Sequence, residues 1–272
     1  MSNIFEKFDM HGQTAVVTGA GLLGKEFCKT LAQAGAFVVS ADINKAAAES
    51  IAKEINESGG KAIGIEVDVT NPESTQNMAE TAVKETGRLD SLICSAAMDP
   101  KFDPSHLGHF NTFEDYPLKM WQDALNVNLT GLFLCAQAAV KPMLKQNHGV
   151  IINICSTYGL VGPDQRIYER PDQEKHQYKP VFYSVTKSGV LGLTRYLATY
   201  YAGTGIRANC LTPGGVFNNN DDVFVQHYSA HAVLGRMAHK DEMDGAILFL
   251  ASDASTYMTG SNLVVDGGWT AW

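Results

Sequence analysis

Thr14-Ala15-Val16-Val17-Thr18-Gly19-Ala20-Gly21-Leu22-Leu23-Gly24 passes from a β-prone run through three glycines into a helical pattern. Leu23, Phe27 and Leu31 then recur on one helical stripe, and Gly35 provides a stop. Strand, turn and helix in that order open a β-α-β unit, and the turn itself reads G-x-G-x-x-G. Gly19 and Gly21 allow a tight turn and close backbone approach to a pyrophosphate, while Gly24 lets helix and strand touch. Amides and dipole at the helix start favour phosphate charge. Any strand–helix turn can use glycine, so the motif takes its weight from this position.

The rest of the chain continues the alternation. Apolar runs of strand length occupy 14–18, 36–41, 62–67, 89–94, 150–155 and 206–211, with a shorter seventh at 263–265. They are apolar on both sides, as strands covered on both faces must be. Helical patterns fall at 22–34, 44–56, 72–86, 118–146, 183–203 and 241–250, with Pro142 predicting a kink or break late in the fourth. Such alternation predicts an α/β fold: one doubly wound, Rossmann-type domain over 1–272, with a seven-stranded parallel sheet flanked by helices. Two insertions, 99–117 and 160–180, break the rhythm. Both belong beyond the C-terminal strand ends, where open α/β sheets bind ligands.

Composition agrees with a folded enzyme: 272 residues, 45% hydrophobic and 18% charged. The net charge of −8 without a Lys/Arg cluster argues against nucleic acid. Cys28, Cys94, Cys135, Cys155 and Cys210 form no C-x-x-C pair and read as buried thiols of a reducing compartment. Residues 1–11 lack the apolar core of a signal peptide, and no run reaches the 18 apolar residues of a membrane span. A cytoplasmic protein with no membrane partner is expected.

Asp42 ends the second strand pattern, 18 residues after Gly24. A carboxylate there accepts both hydroxyls of an adenosine ribose and repels a 2′-phosphate, favouring NAD over NADP. A solvated helix-capping role is the alternative, and Lys25 and Lys45 are counter-evidence, since a cation could hold that phosphate. Asp68 could meet an adenine amino group or cap the helix near Asn71.

Tyr183 and Lys187 stand at i and i+4, on one face at the start of a helix. A free phenol titrates near 10, but a neighbouring cation and a positively charged cofactor ring favour its anion. The phenol can then exchange a proton with a substrate oxygen while hydride moves at carbon. Upstream, 151–156 is a strand ending in Ser156, whose hydroxyl could hold the same oxygen. Asn128 lies among apolar neighbours, where it could position a water linking Lys187 to solvent or be a satisfied core amide.

Together these residues resemble the short-chain dehydrogenase/reductase family in its standard-length branch. The likeness runs from about Gly12 to Gly268 and includes the glycine turn, Val67-Asp68-Val69, Val127-Asn128-Leu129, Ser156, Tyr183/Lys187, Pro213-Gly214-Gly215-Val216 and Leu263-Val264-Val265-Asp266-Gly267-Gly268. The resemblance implies a nicotinamide cofactor and an Asn128/Ser156/Tyr183/Lys187 catalytic set. It also implies cofactor contacts at Gly19, Gly21, Leu23, Gly24, Asp42, Asp68, Val69, Tyr183, Lys187, Pro213, Gly214 and Val216, whose backbone meets the carboxamide. A homotetramer or homodimer packed through the helices of Asn128 and Tyr183 is likewise implied. The expected function is oxidation of an alcohol or reduction of a carbonyl on a small polar, sugar-type substrate.

Three departures stand out. The glycine turn is one residue shorter than the family's, and Cys94-Ser95-Ala96-Ala97 replaces its Asn-Asn-Ala-Gly, removing amides that brace the sheet. Ser156 and Tyr183 are 27 residues apart, about twice the family's spacing. The extra segment carries Arg166, Arg170, Lys175, His176 and Lys179 among Asp164, Glu169, Asp172 and Glu174. It reads either as a clamp for an anionic substrate or as a solvated loop with balanced charge. The run is similar to enzymes of bacterial surface-sugar and flagellin-glycan pathways, with aldonate or polyol dehydrogenases as the near alternative.

Residues 217–236 are expected to form a mobile lid. Phe102, Phe110, Phe113, Tyr116 and Trp121 belong to the pocket or to a subunit contact. Neither His227/His231 nor Asp103/His106/His109 completes a ligand sphere, so no metal is expected. Two other functions compete. A nucleotide-sugar epimerase or dehydratase needs a C-terminal substrate domain, yet only 85 residues follow Lys187 in the 272-residue sequence. A non-catalytic NAD-binding sensor predicts loss of a catalytic group, and all four are present.

Overall fold

The computed structural model describes residues 3–99, 111–170 and 176–272. Seven parallel strands, β1 (Thr14–Thr18), β2 (Phe37–Asp42), β3 (Lys61–Glu66), β4 (Ser91–Cys94), β5 (Gly149–Ile154), β6 (Ile206–Pro213) and β7 (Asn262–Val265), lie in the order β3-β2-β1-β4-β5-β6-β7. The order reverses between β1 and β4, which opens a crevice at their C-terminal ends.

Alternate strand residues feed two cores. Val16, Val39, Leu92 and Ile151 pack beneath α3 (Pro72–Thr86), α5 (Gly131–Gln146) and α6 (Val181–Tyr200). Ala15, Val17, Val38, Ile93 and Ile152 face α1 (Leu22–Gln33), α2 (Lys45–Glu57) and α8 (Asp244–Ala251). That two-sided burial is why the strands read as unbroken apolar runs. Asn44 caps α2 through Ala47 N–H, and Asn71 caps α3 ahead of Pro72, as expected.

The long helical pattern departs from expectation. The helix runs on past Pro142, and its one irregularity is a π turn, Asn126–Thr130, between α4 (Leu118–Leu125) and α5. Gly131 donates to the Asn126 carbonyl, and a Cβ on Gly131 would come within 2.8 Å of Val69. Pro142 removes only one ladder bond near the helix end, and α5 continues through it.

An 18-residue window within 118–146 has mean hydropathy 1.3, enough by length and composition alone to cross a membrane, although polar residues interrupt every apolar run in it. Half of that window is buried in the fold, where α5 packs on α3 and β5 as a core helix does.

The expected lid contains a helix, α7 (Asp222–His231), capped by Asp221. Phe224 and Tyr228 on α7 join Tyr158, Ile167, Tyr168, Met237 and Trp269 in a third apolar cluster above the crevice. Ile167 and Tyr168 come from the extra segment, whose described part therefore folds into the protein rather than dispersing in water. All five cysteines are free and buried, and burial pushes the Cys28, Cys135 and Cys210 thiols up to about 12.

Candidate active site

A cavity of about 960 Å³ runs along the C-terminal strand ends. It lies at the upper end of the roughly 300–1,000 Å³ typical of small-molecule sites. Gly19, Gly21, Leu23, Gly24, Asp42, Asp68 and Val69 line one end, Ser156, Tyr183 and Lys187 the other, with Pro213, Gly214 and Val216 between them. Asn128 sits behind this lining.

The glycine turn fits its expected use. Gly19 has φ +88°, and a Cβ there would come within 2.7 Å of the Ala96 backbone. A Cβ on Gly24 would overlap the Gly19 carbonyl. Gly21 has open space where its Cβ would stand, and as N-cap of α1 it contributes no capping side chain. Unspent amides beside open space are what a pyrophosphate requires. The amides missing after β4 are replaced by backbone, with Ser95 N–H donating to the Thr18 carbonyl at 3.1 Å.

Asp42 is more engaged than expected. One carboxylate oxygen accepts from Ala20 N–H at 2.6 Å and the other from Asn44 N–H at 2.7 Å. Each oxygen keeps acceptor capacity, so contact with a ribose is compatible with both bonds. Lys25 is held by Glu54 at 2.6 Å, Lys45 lies 3.7 Å from Glu49, and Ile43 is the exposed residue beside Asp42. Asp68 does not cap α3, because Asn71 does. Its Oδ1 instead accepts from Thr70 N–H and Oγ1 at 2.8 and 2.7 Å.

Ser156 follows β5, and Tyr183 stands in the first turn of α6. Both line the cavity, where the Ser156 hydroxyl favours the Tyr183 phenolate, and Ser156 Oγ accepts from Tyr158 N–H at 3.3 Å. Lys187 is buried and donates to the Ile154 carbonyl at 2.9 Å, tying α6 to β5. Its ammonium is 5.8 Å from the Tyr183 ring centre.

The protein's own groups do not make the phenol acidic, as the sequence suggested. Burial and the Asp99 carboxylate hold Tyr183 well above its ordinary value, against the pull of Ser156. Burial pushes Lys187 down, because loss of hydration disfavours the charged form of either group. The i, i+4 spacing placed these groups correctly but said nothing about desolvation.

Asn128 is a satisfied amide. Its Oδ1 accepts from Met98 N–H at 2.7 Å, and its Nδ2 donates to the Met98 carbonyl and to Thr186 Oγ1, both at 3.2 Å. Val216 bridges Ala238 through the N–H of Phe217 and the carbonyl of Gly215, which turns its own backbone groups the other way. Of the histidine pair, His227 lies 3.4 Å from the Ile167 carbonyl and the His231 ring packs on Trp269. Phe102, Asp103, His106, His109, Phe110, Asp172, Glu174 and Lys175 lie outside the described residues.

Sequence reasoning missed one constellation. Lys179, buried, forms an ion pair with Asp99 at 2.6 Å and lies 3.9 Å above the Tyr183 ring centre. Its only signal was a lysine four residues before the tyrosine, indistinguishable from the other charges of the segment. Arg166 and Arg170 are instead paired with Asp164 and Asp221, both at 2.7 Å.

Residues 20–270 match a family described as Enoyl-(Acyl carrier protein) reductase. The chain is 33% identical over 265 residues to cis-4-hydroxycyclohexanecarboxylate dehydrogenase of Sinomonas cyclohexanicum, covering 95% of this chain and 97% of that one. It is 32% identical over 269 residues to D-threitol dehydrogenase of Mycolicibacterium smegmatis, covering 97% and 95%. A gluconate 5-dehydrogenase from Burkholderia cenocepacia, solved with NADP and tartrate, superposes with a TM-score of 0.86 at 28% identity over 99% of this chain and 100% of that one. The chain belongs to the short-chain dehydrogenase/reductase family, NAD(P)-dependent oxidoreductases that interconvert alcohol and carbonyl groups.

Proposed function

We propose that this protein is an NAD-preferring dehydrogenase of a small, polar, sugar-type alcohol, with Tyr183 as general acid/base. The observation that carries the reading is that Ser156, Tyr183 and Lys187 line the same cleft as the glycine turn. A substrate oxygen lodged between the two hydroxyls is held by Ser156 and exchanges its proton with Tyr183. Lys187, anchored on the Ile154 carbonyl, fixes the α6 turn that presents the phenol. Asn128 acts by positioning, because its amide joins Met98 to Thr186, beside Lys187.

A nicotinamide dinucleotide bound along this lining would supply the hydride chemistry and, in its oxidised form, a cationic ring. Near that charge the Tyr183 phenol gives up its proton more readily than burial alone permits. Gly19, Gly21, Leu23 and Gly24 would cradle the pyrophosphate, Asp68 and Val69 flank the adenine, and Pro213, Gly214 and Val216 border the nicotinamide. The NAD preference rests on Asp42 together with Ile43 and with the pairing of Lys25 to Glu54. Among the described residues, Lys25 is held by Glu54 and Lys45 lies 3.7 Å from Glu49, which leaves each less available to a 2′-phosphate.

Residues 1–272 are read as one catalytic domain, with α7 as the movable cover and the cytoplasm as its setting. Leu118, Phe133, Val185, Tyr196 and Tyr200 are exposed on α4, α5 and α6, and support a homodimer or homotetramer joined there. Absorbance of reduced nicotinamide, followed with NAD and NADP across sugar alcohols, aldonates and amino-sugar derivatives, tests the reading. Tyr183→Phe should lower turnover by roughly 10²–10⁴-fold or more while NAD binding persists. Near-normal turnover in that variant would refute the assignment.

A further inference from the structure

We propose that the Lys179–Asp99 ion pair is a substrate-specificity element that selects a neutral vicinal diol over a sugar acid. This deepens the dehydrogenase reading and rests on it. Both residues line the cavity at the end occupied by Ser156 and Tyr183. The Lys179 side chain is only 9% exposed and the Asp99 side chain 46%, so the carboxylate is the partner open to the cleft.

The ammonium touches Asp99 at 2.6 Å while lying 3.9 Å over the Tyr183 ring, which ties the pair to the position of the reacting oxygen. A carboxylate beside an ammonium offers acceptor and donor within one hydrogen-bond length. Adjacent hydroxyls, each able to donate and accept, match that arrangement without adding charge.

A substrate carboxylate matches it poorly. It would have to displace Asp99 from Lys179 or lie against it as a like charge. The described lining offers no compensating cation. It carries Asp42, Asp68 and Asp99 against Lys179 and Lys187, with Asp221 held by Arg170 and Lys187 donating to the Ile154 carbonyl. The arginines that suggested an anion clamp are neutralised by Asp164 and Asp221. The names of the relatives include both a neutral polyol and a hydroxy acid, so the choice must be made by this chain's own groups.

The test compares kcat/KM for a tetritol or pentitol and for an aldonate of equal carbon number in the wild type, Asp99→Asn and Lys179→Met. Both substrates use the same phenol, so their ratio cancels any shared change in Tyr183 ionisation. The wild type should favour the neutral polyol. Asp99→Asn, nearly isosteric, removes the carboxylate charge beside the ammonium and should move the ratio toward the aldonate by roughly 10-fold or more, through the aldonate KM. Lys179→Met should lower polyol kcat/KM by roughly 10–100-fold with unchanged NAD affinity.

Preference of the wild type for the aldonate, or parallel changes that leave the ratio within about twofold, overturns the diol assignment while the dehydrogenase reading stands. NAD binding without turnover of any alcohol, in wild type and Tyr183→Phe alike, defeats both.

Discussion

Asn128 Nδ2 donates to Thr186 Oγ1 across 3.2 Å, joining the π turn between α4 and α5 to the helix that presents Tyr183 and Lys187. Because Thr186 precedes Lys187, the amide controls the pitch of the catalytic turn without reaching the cleft. Asn128→Ala strands the half-buried Met98 N–H and should cost about 1–3 kcal/mol. Melting temperature and kcat should fall together, and Thr186→Val should reproduce a smaller part of both. Loss of kcat with an unchanged melting temperature would show that Asn128 acts on the chemistry directly.

The Tyr183 phenol is raised by burial first and Asp99 second. Oxidation needs its anion, so a raised value moves the ascending limb of the rate profile to higher pH. Below that limb the rate should rise about tenfold per pH unit. Asp99→Asn removes a negative neighbour, which favours the phenolate, whereas Lys179→Met removes a positive one. The limb should shift to lower pH in Asp99→Asn and to higher pH in Lys179→Met. Shifts in the same direction would contradict this electrostatic account.

Cofactor choice should respond to two adjacent positions. Asp42→Ala should weaken NAD use and raise the NADP/NAD ratio of kcat/KM, and adding Ile43→Arg should raise it further by supplying a cation for the phosphate. An unchanged ratio in the double variant would remove Asp42 from the ribose site.

Trp269 connects the C-terminal turn to the cover of the site. Its ring stacks on Tyr228 with centres 4.2 Å apart, and Tyr228 Oη accepts from Gly215 N–H. Trp269→Ala should destabilise the fold by about 3–5 kcal/mol and loosen α7. Proteolysis within 217–236 and substrate KM should both increase, whereas protection of β1 and β5 changes less.

The sheet was legible because strands buried on both faces have little room for polar residues. The glycine turn was legible because Gly19 and Gly24 answer steric demands from Ala96 and Gly19 itself. What stayed hidden depended on contacts distant in sequence. Nothing near Pro142 reveals that the helix widens into a π turn at Asn126–Thr130, because that turn meets Met98, Val69 and Thr186. The i, i+4 rule put Tyr183 beside Lys187, but loss of hydration and Asp99, 84 residues upstream, set the direction of its proton affinity. Lys179 looked like one charge among many until Tyr183 was found beneath it.

Asp42 Oδ2 holds Ala20 N–H, so the carboxylate that would read the ribose also closes the loop on which the diphosphate would rest. Discrimination and cradle are thereby one mechanical unit. A lineage drifting toward the phosphorylated coenzyme could not simply discard the acid. It would first have to re-knot the loop by other means, and intermediates lacking that knot would bind either coenzyme loosely.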